Sequence, residues 1–172
     1  CSSDLALFVT DLAMREAGFG LLPEYDVAIF DEAHTLEAVA GEHMGLQISN
    51  IGVDITLARL FNDRNGKGLL SYHRLEEAQG LVSASRLAAD AFFDDVADWH
   101  MRKGSGFNGR VRGPLDLSDE LFQRLRSLAR SIGEGLAKVE KAEHRVELAA
   151  AQARCLGLAD QVGTWMQQST AD

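Results

Sequence analysis

The stretch 27-VAIFDEAHTLEAVA-40 carries the strongest structural signal in the chain. Its four leading apolar residues run directly into Asp31, Glu32, Ala33 and His34. A short run that is apolar on both faces is typical of a central parallel β-strand covered by helices. The pattern predicts such a strand over residues 26–30. The apolar spacing that follows predicts a helix over residues 33–44.

Two acids at the end of a buried strand are typical of enzymes that transfer phosphoryl groups. The strand fixes the position of the first acid, which can orient Mg²⁺, usually through water, because Mg²⁺ gives up its water ligands reluctantly. The adjacent acid can orient the attacking water. The structural alternative is that Asp31 only caps the helix beginning at Ala33, with His34 at the surface.

Outside this stretch, amphipathic patterns predict a mainly α-helical chain. Helices and helical apolar stripes are predicted, in chain order, over residues 5–17, 53–62, 72–101, 121–139 and 148–166, with a strand-to-helix transition as the alternative for residues 5–17. Ser118 is the predicted N-cap of the fourth of these segments. We expect a turn near residues 140–145, although no Gly or Pro marks it, and one continuous helix is the alternative. Long helices with short connections form an antiparallel bundle.

The composition limits the classes of partner. The net charge of −9 gives no overall attraction to nucleic acid, so any such contact must come from a local basic patch. Cys1 and Cys155 lie far apart, without metal-ligand spacing, which favours a reduced intracellular setting. No apolar run approaches the roughly 20 residues that span a bilayer. The sequence therefore predicts a cytoplasmic protein without a membrane partner.

A glycine-rich loop provides a local basic patch. Four cations flank this loop and an aromatic residue lies within it: Arg102, Lys103, Arg110, Arg112 and Phe107. The cations could neutralise phosphates, and a mobile aromatic ring could stack on a base. The alternative is a solvated, flexible loop between two helices. The smaller group of Arg59, Arg64 and Lys67 fits a turn with solvated charges better.

A longer tract around this stretch resembles a known protein family. The segment 7-LFVTDLAMREAGFGLLPEYDVAIFDEAHTLEAVAGEHMGLQIS-49 resembles the DEAH-box region of DinG/XPD-like DNA helicases. Residues 50–172, including 60-LFNDRNGKGLL-70, look like the helical Arch insertion of that family. The resemblance implies two parts. Residues 1–49 would belong to a helicase domain, and residues 50–172 would be an Arch-like insertion.

The resemblance also implies a function and a fold. It implies ATP-driven movement along single-stranded DNA in the 5′→3′ direction, by a monomer in the bacterial cytoplasm. Asp31 would hold Mg²⁺, Glu32 would act on the hydrolytic water, and His34 would couple the ATP state to DNA movement. The implied fold is mainly α, an antiparallel helical bundle with one short β-strand left from a P-loop α/β domain.

Several family features are missing from this sequence. No G-x-x-x-x-G-K-[ST] phosphate loop is present, so we expect the chain alone to be inactive. The cysteine ligands of an iron–sulfur cluster, found in many relatives, are also absent here. The first five residues depart from the family pattern, so no role is assigned to Cys1. Two alternatives stay open: a stand-alone helical interaction module with a coincidental DEAH sequence, and a fragment of another P-loop ATPase such as an RNA helicase.

Overall fold

The structure is a computed structural model, and it describes residues 2–16, 19–31, 33–43, 47–104, 106–109, 111 and 113–168. The side chains of residues 2, 3, 13, 16, 37, 38, 42 and 43 lie outside this description. The described parts contain seven α-helices: Ser2–Glu16 (α1), Leu36–His43 (α2), Asn50–Leu60 (α3), Leu69–Tyr72 (α4), Glu76–Arg102 (α5), Glu120–Leu136 (α6) and Ala142–Gln167 (α7). The prediction of a mainly helical fold is confirmed. Within the described ranges, no helix combines the length and the apolar character that crossing a bilayer requires.

The chain divides into two compact units, Cys1–Gln47 and Ile48–Asp172. In the first unit, α1 packs against α2 and buries Leu5 and Val9. The segment between these helices folds back onto α1 through aromatic contacts. The ring centroid of Phe8 lies 4.7 Å from that of Phe30 and 5.6 Å from that of Tyr25. These rings fix the residues that precede Asp31 against α1.

The strand predicted over residues 26–30 is wrong for this chain. These residues form neither strand nor helix, and Val27 and Ile29 are 76% and 93% exposed. A β-strand needs backbone hydrogen bonds to a neighbouring strand, and the described residues of this unit contain no second strand. The apolar pattern predicts that these side chains are buried. The described part of the unit does not bury Val27 and Ile29.

The second unit is a helical bundle with one continuous core. The helix α6 packs against both α5 and α7, while α3 and α4 pack against α5. The connection over residues 137–141 is short, so α6 and α7 are antiparallel neighbours. Fully buried side chains come from five helices, among them Leu57, Leu70, Val82, Leu125, Leu128, Ile132, Leu148 and Val162.

Three boundaries can be compared with the sequence prediction. The helix predicted over residues 72–101 is interrupted at residues 73–75, where Arg74 has a φ of 55°. The turn expected near residues 140–145 is confirmed, slightly earlier, at residues 137–141. Asp119 occupies the N-cap position of α6. Ser118, predicted there, instead accepts a hydrogen bond from the Glu120 amide at 3.3 Å.

Candidate functional site

The DEAH residues lie between the non-helical segment and α2. Asp31 is exposed. Ala33–Thr35 form a single 3-10 turn that leads into α2, and His34 on this turn is exposed. Glu32 lies outside the described residues. The structure thus gathers Asp31 and His34 into one short connection and leaves both at the surface.

A buried aspartate in α1 holds the chain that leads to this connection. The Oδ1 atom of Asp11 accepts hydrogen bonds from the amides of Leu21 (2.6 Å) and Leu22 (2.8 Å). Its Oδ2 atom accepts from Arg15 Nε at 2.6 Å and from the Tyr25 hydroxyl at 3.3 Å. Burial would raise the pKa of Asp11. The hydrogen bonds from Arg15 and the two amides outweigh burial and lower this pKa to about 2. Asp11 is therefore ionised at neutral pH and ties residues 21–25 to α1.

The role of Asp11 was missed by sequence reasoning. The available signal was its spacing of four residues from Arg15, which puts both side chains on one face of α1. Such pairs are usually exposed and contribute little to stability. The spacing alone does not reveal that the Asp11 side chain is fully buried and bonded to residues beyond the helix.

A groove of about 390 Å³ lies beside Asp31 in the first unit. The residues that line it include Phe8, Tyr25, Phe30, Asp4 and Asp31. No Lys or Arg is among the described residues that line it. A triphosphate is bound through cationic and amide partners. The groove therefore offers a carboxylate for a hydrated cation but no phosphate cradle.

Asp31 fits a hydrated Mg²⁺ better than a closed metal site. Across the part of the chain that the structure describes, no three His, Cys, Asp or Glu side chains converge on one position. Mg²⁺ keeps several waters and commonly takes one or two protein carboxylates together with substrate phosphates. An exposed carboxylate such as Asp31 would serve as one such ligand if a metal nucleotide were bound beside it.

The predicted nucleic-acid loop begins where α5 ends. Arg102 is the last residue of α5 and Lys103 is its C-cap, and both are exposed. The Nζ atom of Lys103 lies 5.0 Å from the ring centroid of Trp99. Arg110 and Arg112, predicted for the same site, lie outside the described residues. The structure therefore locates two of the four predicted cations, side by side at one helix end.

The aromatic residue of this loop is packed rather than free. The ring of Phe107 is half-buried, and its centroid lies 5.4 Å from that of Trp99 and 5.5 Å from that of His100. Both contacts are edge-to-face, a favourable arrangement for aromatic pairs. These contacts hold the Phe107 ring against the end of α5. The sequence suggested a mobile aromatic ring at Phe107. The structure instead packs this ring on Trp99, a contact that depends on the path of the loop and that the sequence does not reveal.

The second basic group lies around an ordered turn between α3 and α4. The side-chain oxygen of Asn62 accepts a hydrogen bond from the Arg64 amide at 3.0 Å, and that of Asn65 accepts one from the Lys67 amide at 2.9 Å. The side chains of Arg64 and Lys67 are exposed. These bonds fix the backbone of the turn and leave both cationic side chains in solvent.

Burial determines the ionisation of the thiol in α7. Cys155 is fully buried in the core, as the sequence indicated, and burial raises the pKa of its thiol to about 11 although Arg154 opposes the shift.

The fold also brings His73 and His144 together, with ring centroids 5.0 Å apart. The Tyr72 hydroxyl lies 3.3 Å from His144 Nε2. No sequence signal indicated this cluster, because Tyr72 and His73 are far from His144 in the chain.

Comparisons with known proteins give partial matches to one kind of enzyme. The chain is 45% identical over 58 residues to the ATP-dependent DNA helicase YoaA of Escherichia coli (strain K12), a match that covers 30% of this chain and 9% of the helicase. It is 33% identical over 108 residues to the ATP-dependent DNA helicase YoaA of Haemophilus influenzae, covering 62% of this chain and 15% of the helicase. No protein-family model and no solved structure matches the chain. Part of the chain is thus similar to ATP-dependent DNA helicases, and the chain spans a small part of their length.

Proposed function

We propose that the chain is the DEAH-box segment and helical insertion of an ATP-dependent DNA helicase that moves 5′→3′ along single-stranded DNA. The observation that carries this proposal is the DEAH tract of residues 7–49 in a chain partly identical to two ATP-dependent DNA helicases. Residues 1–49 then belong to the helicase domain, and residues 50–172 are an Arch-like insertion. The division of the chain between Gln47 and Ile48 supports a boundary in this region.

Three residues carry the proposed chemistry. Asp31 holds the Mg²⁺ of Mg-ATP through water, Glu32 orients the water that attacks the γ-phosphate, and His34 couples the nucleotide state to DNA movement. When bound, Mg²⁺ neutralises charge that develops on the phosphates. The exposure of Asp31 and His34 supports these roles, because both residues lie at the surface of the described part of the chain.

The chain alone is expected not to hydrolyse ATP. Its sequence contains no phosphate loop, and the groove beside Asp31 has no cation among its described lining residues. Without a cradle for the triphosphate, Asp31 and Glu32 have no substrate to act on. Phosphate release from Mg-ATP, measured with the purified chain, is the test. Turnover would contradict this expectation.

Single-stranded DNA is the proposed partner of the loop after α5. The proposed contacts are Arg102, Lys103, Phe107, Arg110 and Arg112. The exposed cations at the end of α5 support this assignment. Reversing the charges of Arg110 and Arg112 in the full-length enzyme is expected to weaken its binding to DNA and to flatten the salt dependence of that binding, because each phosphate contact adds to the salt slope.

A chimaera tests the proposed function. In the H. influenzae helicase, the segment that aligns with this chain is replaced by the corresponding residues of this chain, and DNA-stimulated ATP hydrolysis is measured. The chimaera is expected to hydrolyse ATP. Glu32→Gln is expected to lower the rate by at least about a hundredfold, as for a positioned general base.

The control is Glu24→Gln, which removes the same charge from an exposed carboxylate of the same segment and should leave the rate unchanged. A chimaera that is equally active with and without Glu32→Gln would contradict the role of Glu32. A folded chimaera that does not hydrolyse ATP would favour the stand-alone helical interaction module.

A further inference from the structure

The chain contains two Asn-Gly pairs in similar sequence surroundings. They are Asn65-Gly66, between α3 and α4, and Asn108-Gly109, in the loop after α5, and a basic residue follows each pair. Because glycine has no Cβ, its backbone nitrogen is open to attack on the side chain of the preceding asparagine. These two pairs are therefore the positions where an asparagine of this chain is most open to reaction with its own backbone.

The reaction is deamidation through a succinimide ring. The glycine amide gives up its proton to water, and its nitrogen attacks the asparagine Cγ and forms a C–N bond. The bond between Cγ and the side-chain nitrogen then breaks, and this nitrogen takes up a proton and leaves as ammonia. Water opens the ring at either carbonyl and gives aspartate or isoaspartate. A neighbouring cation favours the deprotonated amide, so the basic residue after each pair favours the reaction.

The turn between α3 and α4 opposes this reaction at Asn65. The Gly66 amide, which would be the nucleophile, donates a hydrogen bond of 2.8 Å to the Asn62 carbonyl. The Asn62 amide in turn donates to the Lys67 carbonyl at 2.8 Å, which closes the turn. Ring closure consumes the N–H group of Gly66 and so removes its bond to Asn62, at a cost in free energy. The fold therefore slows the deamidation of Asn65.

The second pair lies in an exposed segment. Asn108 and Gly109 are both exposed, and they belong to neither a helix nor a strand. Gly109 has a φ of 80°, and an added Cβ at this position would meet nothing within 4 Å, so the space around its Cα is open. Exposed segments outside regular structure rearrange at a low cost in free energy. Ring closure at Asn108 thus requires no helix or strand to open.

We propose that Asn108 is a site of spontaneous deamidation and that the turn over residues 62–67 suppresses the same reaction at Asn65. The product places a carboxylate in the stretch 102–112, which has four basic residues and no acidic one. The isoaspartate form also adds a methylene group to the backbone. The loop therefore changes its charge and its backbone length with time, without an enzyme and independently of the proposed function.

Peptide mapping of the aged chain tests the proposal. The purified chain is kept at body temperature and mildly alkaline pH, and liquid chromatography with mass spectrometry follows both pairs. We expect native Asn108 to deamidate about fivefold faster than Asn65, or more, because ring closure at Asn65 also costs the hydrogen bond of Gly66. Both aspartate and isoaspartate should form. In guanidinium chloride the turn is lost, and the two rates should become similar.

The matched control is Gly109→Ala, because the added Cβ hinders attack on Asn108 and leaves Asn65 unchanged. This variant should slow the deamidation of Asn108 in the native and the denatured chain, while Asn65 reacts as before. Equal native rates at the two pairs, or a faster reaction at Asn65, would overturn the proposal. So would a native Asn108 that stays unmodified while the denatured chain reacts. Aspartate without isoaspartate would also overturn it, since that product indicates direct hydrolysis.

Discussion

At the scale of single residues, Cys155 of α7 lies in the hydrophobic core of the second unit, and this position determines its reactivity. Its side chain is fully buried, and burial raises the pKa of the thiol to about 11. The thiolate is the form that reacts with alkylating reagents. In a Cys1→Ser background, we expect iodoacetamide at about pH 8 to modify native Cys155 at least about a hundredfold more slowly than Cys155 in denaturant. Mass spectrometry follows the modification, and similar rates in both conditions would show that the thiol is accessible.

The residues that sequence identified and those that it missed differ in one physical respect. Asp31, Glu32 and His34 are close together in the chain, so a local motif is enough to predict a role for them, and that role stays a prediction. Asp11 gains its role from the amides of residues 21 and 22, which reach it only after the chain reverses. The packing of Phe107 on Trp99 likewise depends on the path of the loop. Local patterns carry no information about contacts of this kind.

At the scale of elements, the connection between α3 and α4 requires glycine at position 68. Gly68 has a φ of 146°, and an added Cβ would lie 2.8 Å from the carbonyl carbon of Leu60 and from the Cα of Phe61. We expect Gly68→Ala to lower the free energy of unfolding by about 2 kcal/mol or more. Gly80→Ala, inside α5 with nothing within 4 Å of the added Cβ, should raise it by about 0.5 to 1 kcal/mol. Urea unfolding measures both values, and a shift of the same sign in both variants would contradict this account.

The contact between the α4–α5 junction and α7 is expected to depend on pH. His73 and His144 face each other there, beside the Tyr72 hydroxyl and the charge of Glu147. Burial and the neighbouring His144 lower the pKa of His73 below 6.5. The unfolded chain therefore takes up a proton at this residue more readily than the folded chain. The free energy of unfolding should fall as the pH drops below about 6.5.

Urea titrations on either side of that pH measure the effect. We expect His73→Gln to lose stability less steeply than the unchanged chain as the pH falls, because the variant has no imidazole to protonate. His100→Gln serves as the control, since His100 is exposed and lies outside this cluster. The same pH dependence in all three proteins would rule out His73 as the group responsible.

The helices were largely predictable, and their interruptions were not. The stripes of α6 and α7 follow the 3.6-residue period, so Leu125, Ile132 and Leu148 could be assigned to the core from sequence. The break before α5 has no Gly or Pro and depends on Arg74 in the left-handed region, where the chain bonds the Leu75 amide to the Leu70 carbonyl. The strand over residues 26–30 fails for a different reason. Periodicity predicts which faces are apolar but not whether a neighbouring strand is present.

At the scale of the whole molecule, the two units differ in how much apolar surface they bury. The second unit has a continuous core drawn from five helices. Among the described apolar side chains of the first unit, Leu5 and Val9 are the buried ones, and Val27 and Ile29 are exposed. Burial of apolar surface is the main source of stability. The first unit is therefore expected to open at a lower free energy than the second.

Native-state hydrogen exchange tests this difference. We expect the amides of residues 27–30 to exchange first, those of α1 next, and those of α6 and α7 only on global unfolding. Equal protection in α1 and α6 would instead show one cooperative unit. The chimaera extends the test, because residues 1–49 are proposed to belong to a helicase domain there. If residues 26–30 are the strand that their apolar pattern indicates, their amides should become protected there, since each would gain a backbone hydrogen bond and burial. Unchanged fast exchange in an active chimaera would contradict a strand over residues 26–30 in that setting as well.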